Sequence, residues 1–210
     1  CYIKEIQMRQ EKAGVTQILL DSAEAEFLQY GFHDASLRRI SSASGVSTNS
    51  IYTRFGDKAG LFSAVVSQAA DGLMDLYLSS ISEADKCDNV DSASNVGDEG
   101  TNQVLEYIYQ YLDEFYLIFC NSQGTEYETY FDRLTEIEEN YYRKFLAQYI
   151  DGGEKVDEFF IHVYCRMGWQ YIYELVTHKK SYEEACKFME TVRKIRHAGW
   201  KEIVKPTSDL

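Results

Sequence analysis

The sequence predicts an all-α protein, and three observations carry that reading. The only proline among the 210 residues is Pro206, near the C-terminal end, so no ring interrupts a long helix. Apolar residues recur at steps of three and four through most of the chain. Glycines and helix-capping side chains fall where those runs stop. The hydrophobic fraction of 45% suits a chain that buries a core.

In residues 15–30, Val15, Leu19, Ala23 and Phe27 make one helical face with Ile18 and Leu28 beside it, and Gly31 ends the helix. Ser36 offers an N-cap to a short helix over 37–44 that should bury Leu37, Ile40 and Ala43. Gly45 breaks it. Ser47 caps a second short helix over 48–55, with Ile51 and Phe55 inward and Gly56 at its end. Asp57 caps the next, over 58–81, whose apolar positions are Leu61, Phe62, Val65, Ala69, Leu73, Leu76 and Tyr77. Residues 82–102 are rich in Ser, Asp, Asn and Gly with almost nothing apolar, which predicts a loop or a disordered segment. Residues 103–121 are nearly all apolar or aromatic and predict a central helix. Another covers 127–150, closed by Gly152 and Gly153.

Two long helices finish the chain. The first, over 155–178, places Phe160, Tyr164, Met167 or Gly168, Tyr171 and Leu175 on one stripe. The second, over 182–204, does the same with Ala185, Phe188, Val192, Ile195, Gly199 and Ile203. Gly168 and Gly199 would allow close helix approach. The two suit an antiparallel pair, buried within one chain or against a second copy.

Charge and composition limit the function classes. The net charge is −13, which argues against nonspecific coating of nucleic acid. Residues 1–60 balance their basic and acidic side chains, so the whole excess of acid lies beyond them. The five cysteines form no C-x-x-C pair and are odd in number, as expected of free thiols in a reducing cytoplasm. No apolar run is long enough to span a bilayer, and no signal peptide is visible. There is no G-x-S-x-G, no H-E-x-x-H, no phosphate-binding glycine loop and no clustered Cys/His set, so an enzyme is not expected. Glu158 with His162 and Glu174 with His178 sit at i, i+4 spacing, with Cys165 one turn from His162, but surface pairs and a packed histidine explain them, and no metal or cofactor is expected.

The informative segment is residues 36–55, SLRRISSASGVSTNSIYTRF. Two short helices about a tight turn at Gly45 make helix-turn-helix geometry, with Val46 plugging the space between them. The second helix presents Thr48, Asn49, Ser50, Tyr52, Thr53 and Arg54, hydrogen-bonding side chains of the kind that read a major groove. No acidic residue lies between Val46 and Gly56, where phosphate would repel it.

Residues 14–65 closely resemble the TetR family of transcriptional regulators. The match runs through Phe27-x-x-x-Gly31-Phe32, Ser36-Leu37-x-x-Ile40, Ala43-x-Gly45-Val46-Ser47, Ile51-Tyr52-x-x-Phe55 and Asp57-Lys58-x-x-Leu61-Phe62. His197-Ala198-Gly199-Trp200 resembles a common family ending. The resemblance implies an N-terminal three-helix helix-turn-helix DNA-binding domain, residues 1–60, followed by a larger helical ligand-sensing and dimerisation bundle, residues 61–210. It implies a homodimer through the last two helices, bound to double-stranded operator DNA and released by a small-molecule inducer. An activator, or a helical DNA-binding protein that answers no ligand, would need the same contacts. Ser36, Tyr52 and Lys58 would hold phosphates, Thr48, Asn49, Ser50 and Thr53 would face bases, and Arg38, Arg39 and Arg54 would add phosphate contacts. Thr48 and Asn49 stand where the family often has a basic residue and glycine, so base preference does not carry over. Serines at 41, 42 and 44 replace frequent alanines, and the N-terminal arm offers only Lys4, Arg9 and Lys12.

The body adds its own signal. Fourteen of the 17 tyrosines lie beyond residue 60, since only Tyr2, Tyr30 and Tyr52 precede it. Tyr107, Tyr111, Phe115, Tyr164 and Tyr171 are candidate ligand contacts for a mostly apolar or aromatic effector. The acidic neighbours Glu106, Asp113 and Glu114 suggest that the effector is cationic.

Overall fold

The computed structural model describes the backbone of residues 2–149 and 156–203, and the side chains of 14–148 and 156–203. The side chains of Lys4, Arg9 and Lys12, and the whole of Gly152, Gly153, Val204 and Pro206, lie outside the described residues. Among those described there are nine helices and no strand: α1 (Tyr2–Asp34), α2 (Leu37–Ser44), α3 (Thr48–Phe55), α4 (Lys58–Ala84), α5 (Val90–Gln110), α6 (Leu112–Cys120), α7 (Tyr130–Tyr149), α8 (Glu158–Thr177) and α9 (Tyr182–Ile203). The all-α expectation is met. By their internal contacts the residues form two compact units, 1–70 with 113–128, and 71–112 with 129–210.

In the first unit the helical path breaks at Gly31, whose φ of 70° and ψ of 168° lie outside the helical region. The Phe32 amide beyond it donates to the carbonyl of Asn121 at 3.1 Å. Leu19, Ala23 and Phe27 of α1 are fully buried, as are Ile40, Ile51, Leu61 and Phe62. Phe27 and Phe62 meet edge to face at 5.1 Å. The apolar face of α1 starts at Leu19 rather than Val15: Val15 and Ile18 are exposed. Of the three residues expected to bury from α2, only Ile40 is buried; Leu37 is half-buried and Ala43 exposed. Val46 is buried between α2 and α3 as expected.

In the second unit α7 packs on α8 and α5 on α9. One cluster joins Ala93, Phe145, Leu146, Ile161 and Cys165, with Trp200 against it. Another joins Leu105, Leu175, Ala185, Met189 and Val192.

Three sequence expectations need correction. Residues 90–102 are helical, not a loop: Asn89 caps α5 by accepting from the Ser92 amide at 2.8 Å, and Asp91 in the first turn complements the helix dipole. This half of α5 buries small residues, Ala93 and Gly100, rather than bulky ones. A Cβ at Gly100 would stand 1.9 Å from the Ser80 hydroxyl, so glycine there lets α5 lie close against α4. The helix expected over 103–121 is two helices, broken at Tyr111, where φ is −126° and ψ is 44°. The stripes read on the last two helices are largely not the ones buried in the chain. α8 buries Ile161, Cys165, Trp169, Ile172, Leu175 and Val176, leaving Phe160 and Met167 exposed. α9 buries Ala185, Met189 and Val192, leaving Phe188, Ile195 and Ile203 exposed. Both helices are apolar on more than one face, so steps of three and four fit two registers. A Cβ at Gly168 would stand 3.5 Å from the Glu138 carboxylate, whereas one at Gly199 would meet no described atom within 4 Å.

Candidate nucleic-acid interface and cavity

The turn between α2 and α3 depends on Gly45, in the left-handed region at φ 70° and ψ 6°, where a side chain would be strained. Ser47 then caps α3, accepting from the Ser50 amide at 3.2 Å, as its position predicts. Asp57 starts α4 in the same way, accepting from the Gly60 amide at 2.8 Å. Ser36 stands at the N-cap of α2 but makes no side-chain cap bond. Instead its amide donates to Glu26 Oε1 at 2.8 Å, and Arg39 Nε donates to the same oxygen at 2.8 Å. Burial works to raise the Glu26 pKa, but these bonds outweigh it and hold the carboxyl below its ordinary value. Arg39 also donates to the Asp34 carbonyl and lies 4.2 Å from the Tyr30 ring centroid. Arg39 is thus a structural clamp on α1 and α2.

The face of α3 turned to solvent carries Asn49, Tyr52, Thr53 and Arg54, all exposed, with Thr48 and Ser50 half-buried beside them. Tyr52 is 54% exposed, unusual for a ring and fitting for a hydroxyl that reaches outward. Thr53 bonds back to the Asn49 carbonyl at 2.8 Å, and the Ser47 and Ser50 hydroxyls meet at 2.9 Å, so these groups are held in place. Arg54 donates to the Thr16 hydroxyl at 3.0 Å. Arg38 is exposed on α2. Lys58 donates to the carbonyls of His33 and Ala35 at 2.8 and 3.1 Å and lies 4.8 Å from the Phe32 ring centroid. It closes the end of α1 as well as lying near the candidate surface. The sequence reading missed Glu26 and also Gly60, where a Cβ would stand 1.9 Å from the Phe55 carbonyl oxygen.

The second unit holds a cavity of about 140 Å³ between α4, α5, α7, α8 and α9. Its space follows from the small residues of α5: Ala93, Ser94, Gly97, Gly100 and Thr101 line one side. Tyr77, Tyr142, Trp169 and Trp200 supply aromatic walls. Tyr77 meets Trp169 edge to face at 5.0 Å, and Tyr142 stacks on Trp200 at 5.1 Å. Glu138 and Arg196 are the inner charged pair, 3.5 Å apart. Arg196 also donates to the hydroxyls of Tyr142 at 2.7 Å and Tyr164 at 2.9 Å. Burial pushes Glu138 up to about 7, against the pull of Arg196 and a hydrogen bond with Tyr77. Burial likewise raises the Tyr142 hydroxyl well above its ordinary range.

None of the five aromatic residues singled out from the sequence lines this cavity. Tyr164 comes nearest, its hydroxyl taking hydrogen bonds from Arg196 and Trp200. Tyr107 lies against Gly72 and beside Tyr111, Tyr171 packs on Phe188, and Phe115 is fully buried in the first unit. The acids Glu106, Asp113 and Glu114 are also absent from the cavity. Asp113 and Glu114 lie near Glu24, which burial, and then their charges, raises. Glu158 and His162 do not pair with each other: His162 meets Glu139 at 2.7 Å and Glu158 meets Arg143 at 2.8 Å. Glu174 and His178 pair at 3.1 Å. Among the described residues no group of three such side chains could hold a metal ion, and no helix is long and apolar enough to cross a membrane.

Residues 19–65 match the family model described as bacterial regulatory proteins, tetR family. No curated protein matches the chain in sequence. Solved structures share its fold. One from Syntrophomonas wolfei str. Goettingen, titled as a TetR-family transcriptional regulator, has 18% identity and a TM-score of 0.59 over 87% of this chain and 94% of its own. A transcriptional regulator from Pseudomonas aeruginosa PAO1 has 16% identity and a TM-score of 0.59, covering 90% and 93%. NalD, the secondary repressor of the MexAB-OprM multidrug efflux pump in Pseudomonas aeruginosa, has 17% identity and a TM-score of 0.53, covering 85% and 96%. The segment that carries α2 and α3 thus matches the family model of bacterial tetR regulatory proteins, and the chain as a whole shares its fold with these solved structures.

Proposed function

We propose that this DNA-binding transcriptional regulator is a repressor, held on a palindromic operator as a homodimer and released when a small molecule fills the cavity. The observation that carries the reading is the acid-free, hydrogen-bonding outer face of α3, capped and anchored on a buried core. Residues 1–60 act as the DNA-binding part and residues 61–210 as the sensing and dimerising part. Thr48, Asn49, Ser50 and Thr53 face base edges. Ser36, Arg38, Tyr52, Arg54 and Lys58 hold phosphates, and they do so with no sequence information of their own.

Dimerisation through α8 and α9 is supported by their exposed apolar residues. Phe159, Phe160, Val163 and Met167 on α8, and Phe188, Ile195 and Ile203 on α9, present a surface that water would otherwise wet. A two-fold dimer would place two α3 helices in successive major grooves, about 34–36 Å apart. α4 supplies residues to both compact units, so a ligand that shifts it changes that separation.

Gel shifts with DNA flanking the gene test the reading. Wild type should form a salt-sensitive complex, and Asn49→Ala with Tyr52→Phe should weaken it at least about tenfold, roughly one lost base contact at 1–3 kcal/mol. These exposed positions leave the core intact, whereas Lys58 does not. Unchanged binding by the double variant would overturn the assignment of α3.

A further inference from the structure

The polar groups around the cavity do not balance. Arg196 gives its Nε to Tyr164 and its Nη2 to Tyr142 and Glu138. Trp200 gives its indole N–H to Tyr164 as well. The buried Nε1 of Trp169, which lines the cavity, makes no well-formed hydrogen bond and has the Tyr77 hydroxyl beside it. Against these donors stand the Glu138 carboxylate and two tyrosine oxygens whose own O–H groups are further donors; the second carboxylate of the lining, Asp98, is already taken by His197 at 2.9 Å and Arg193 at 3.4 Å. The wall is rich in donors and short of acceptors, so an incoming group gains most by accepting hydrogen bonds.

Charge points the same way. Arg196 and Glu138 together are neutral when both are ionised. A cationic ligand would leave a net buried positive charge beside Arg196. An anionic ligand, with a proton on Glu138, leaves the buried set neutral, and burying net charge is the costlier state. The volume of about 140 Å³ matches an apolar cavity that admits a single benzene ring, at about 150 Å³.

We propose that the cavity takes a small monocarboxylic acid with a ring-sized apolar body, its carboxylate accepting from the donors around Arg196. This rests on the reading of the cavity as the effector site and replaces the cationic effector suggested by acids that do not line it. The proton that accompanies the ligand sits on Glu138, which is faced by Tyr77 from α4, by Tyr142 on its own helix, by Tyr164 and Cys165 from α8 and by Arg196 from α9.

Calorimetric titration of the full-length protein with benzoate, benzyl alcohol and benzylamine compares one ring with three head groups. Benzoate should bind at least about tenfold tighter than either of the others, with net proton uptake. Its affinity should weaken toward about tenfold per pH unit above 7, the folded-state value for Glu138. Glu138→Gln should keep benzoate binding and lose that pH dependence. Tyr142→Phe should weaken benzoate without moving benzyl alcohol. Gly97→Trp fills open space at an exposed lining position and should abolish binding, which places the ligand in the cavity. Tighter binding of benzylamine, loss of benzoate binding in Glu138→Gln, unaltered binding in Gly97→Trp, or no binding by any of the three would overturn the proposal. Benzoate that binds as described without changing DNA affinity supports the ligand class and overturns the effector reading instead.

Discussion

Glu26 and Arg39 hold α1 and α2 together: a single carboxylate oxygen takes the Arg39 Nε and the Ser36 amide, both at 2.8 Å. Thirteen positions apart, the two residues fix the angle at which the helix-turn-helix leaves α1. Glu26→Ala leaves the Ser36 amide without its partner, and should cost about 1–3 kcal/mol in urea unfolding. The pH dependence has a definite sign. Because the folded-state pKa of Glu26 is lowered, its contribution is present above the ordinary carboxylate range and is lost as pH falls through the folded value. Glu26→Gln should therefore flatten the acid limb of the stability profile. An unchanged acid limb would remove Glu26 from the clamp.

Gly60 sets how closely α4 approaches the end of α3. With the Phe55 carbonyl oxygen 1.9 Å from where a Cβ would stand, Gly60→Ala forces α3 and α4 apart. It should destabilise the protein by about 1–3 kcal/mol, the range for overpacking. Gly14→Ala is the control: nothing lies within 4 Å of a Cβ there, so the change should be neutral or stabilising. Denaturant midpoints of the two variants check both expectations.

Glu138 should reveal itself in the pH dependence of stability. Its folded pKa lies above the ordinary carboxylate value, so the native state keeps a proton that the unfolded chain has released. Stability attributable to it therefore falls as pH rises through the interval up to about 7, then levels. Glu138→Gln mimics the protonated form. Its melting temperature relative to wild type should rise between pH 5 and pH 8, and a constant difference would contradict a buried carboxyl of raised pKa.

The outward face of α9 carries Ile195, 68% exposed. Light scattering should find wild type dimeric and Ile195→Glu shifted toward monomer, because a dimer would bury two carboxylates facing an apolar surface. Far-UV circular dichroism should stay unchanged, since the residue is exposed in the single chain. A wild-type monomer, or a variant that stays dimeric, would move the interface away from α9.

The helix-turn-helix was legible in sequence because its features are local. Gly45 is dictated by one backbone conformation, Ser47 and Asp57 by the amides they cap, and Val46 by the gap it fills. The first half of α5 was not legible, because it packs by closeness rather than bulk: Ala93, Ser94, Gly97 and Gly100 resemble a loop until α4 lies against Gly100 and α7 and α8 against Ala93. The cavity was hidden for the same reason, since it is made by side chains that are too small to fill it. Glu138 and Arg196 are 58 positions apart and look like ordinary charges on amphipathic helices until α7 and α9 bring them together. The aromatic residues of α5, α6 and α8 were visible by count, yet composition alone does not separate those that line a cavity from those that fill a core.

Hydroxyl-radical footprinting of the protein on its operator tests the central claim most directly. Two protected patches are expected on one face of the duplex, centred about 34–36 Å apart, with both lost when Asn49 and Tyr52 are substituted. Continuous protection without that spacing, or a footprint that survives the substitutions, would contradict a dimer that reads DNA through α3.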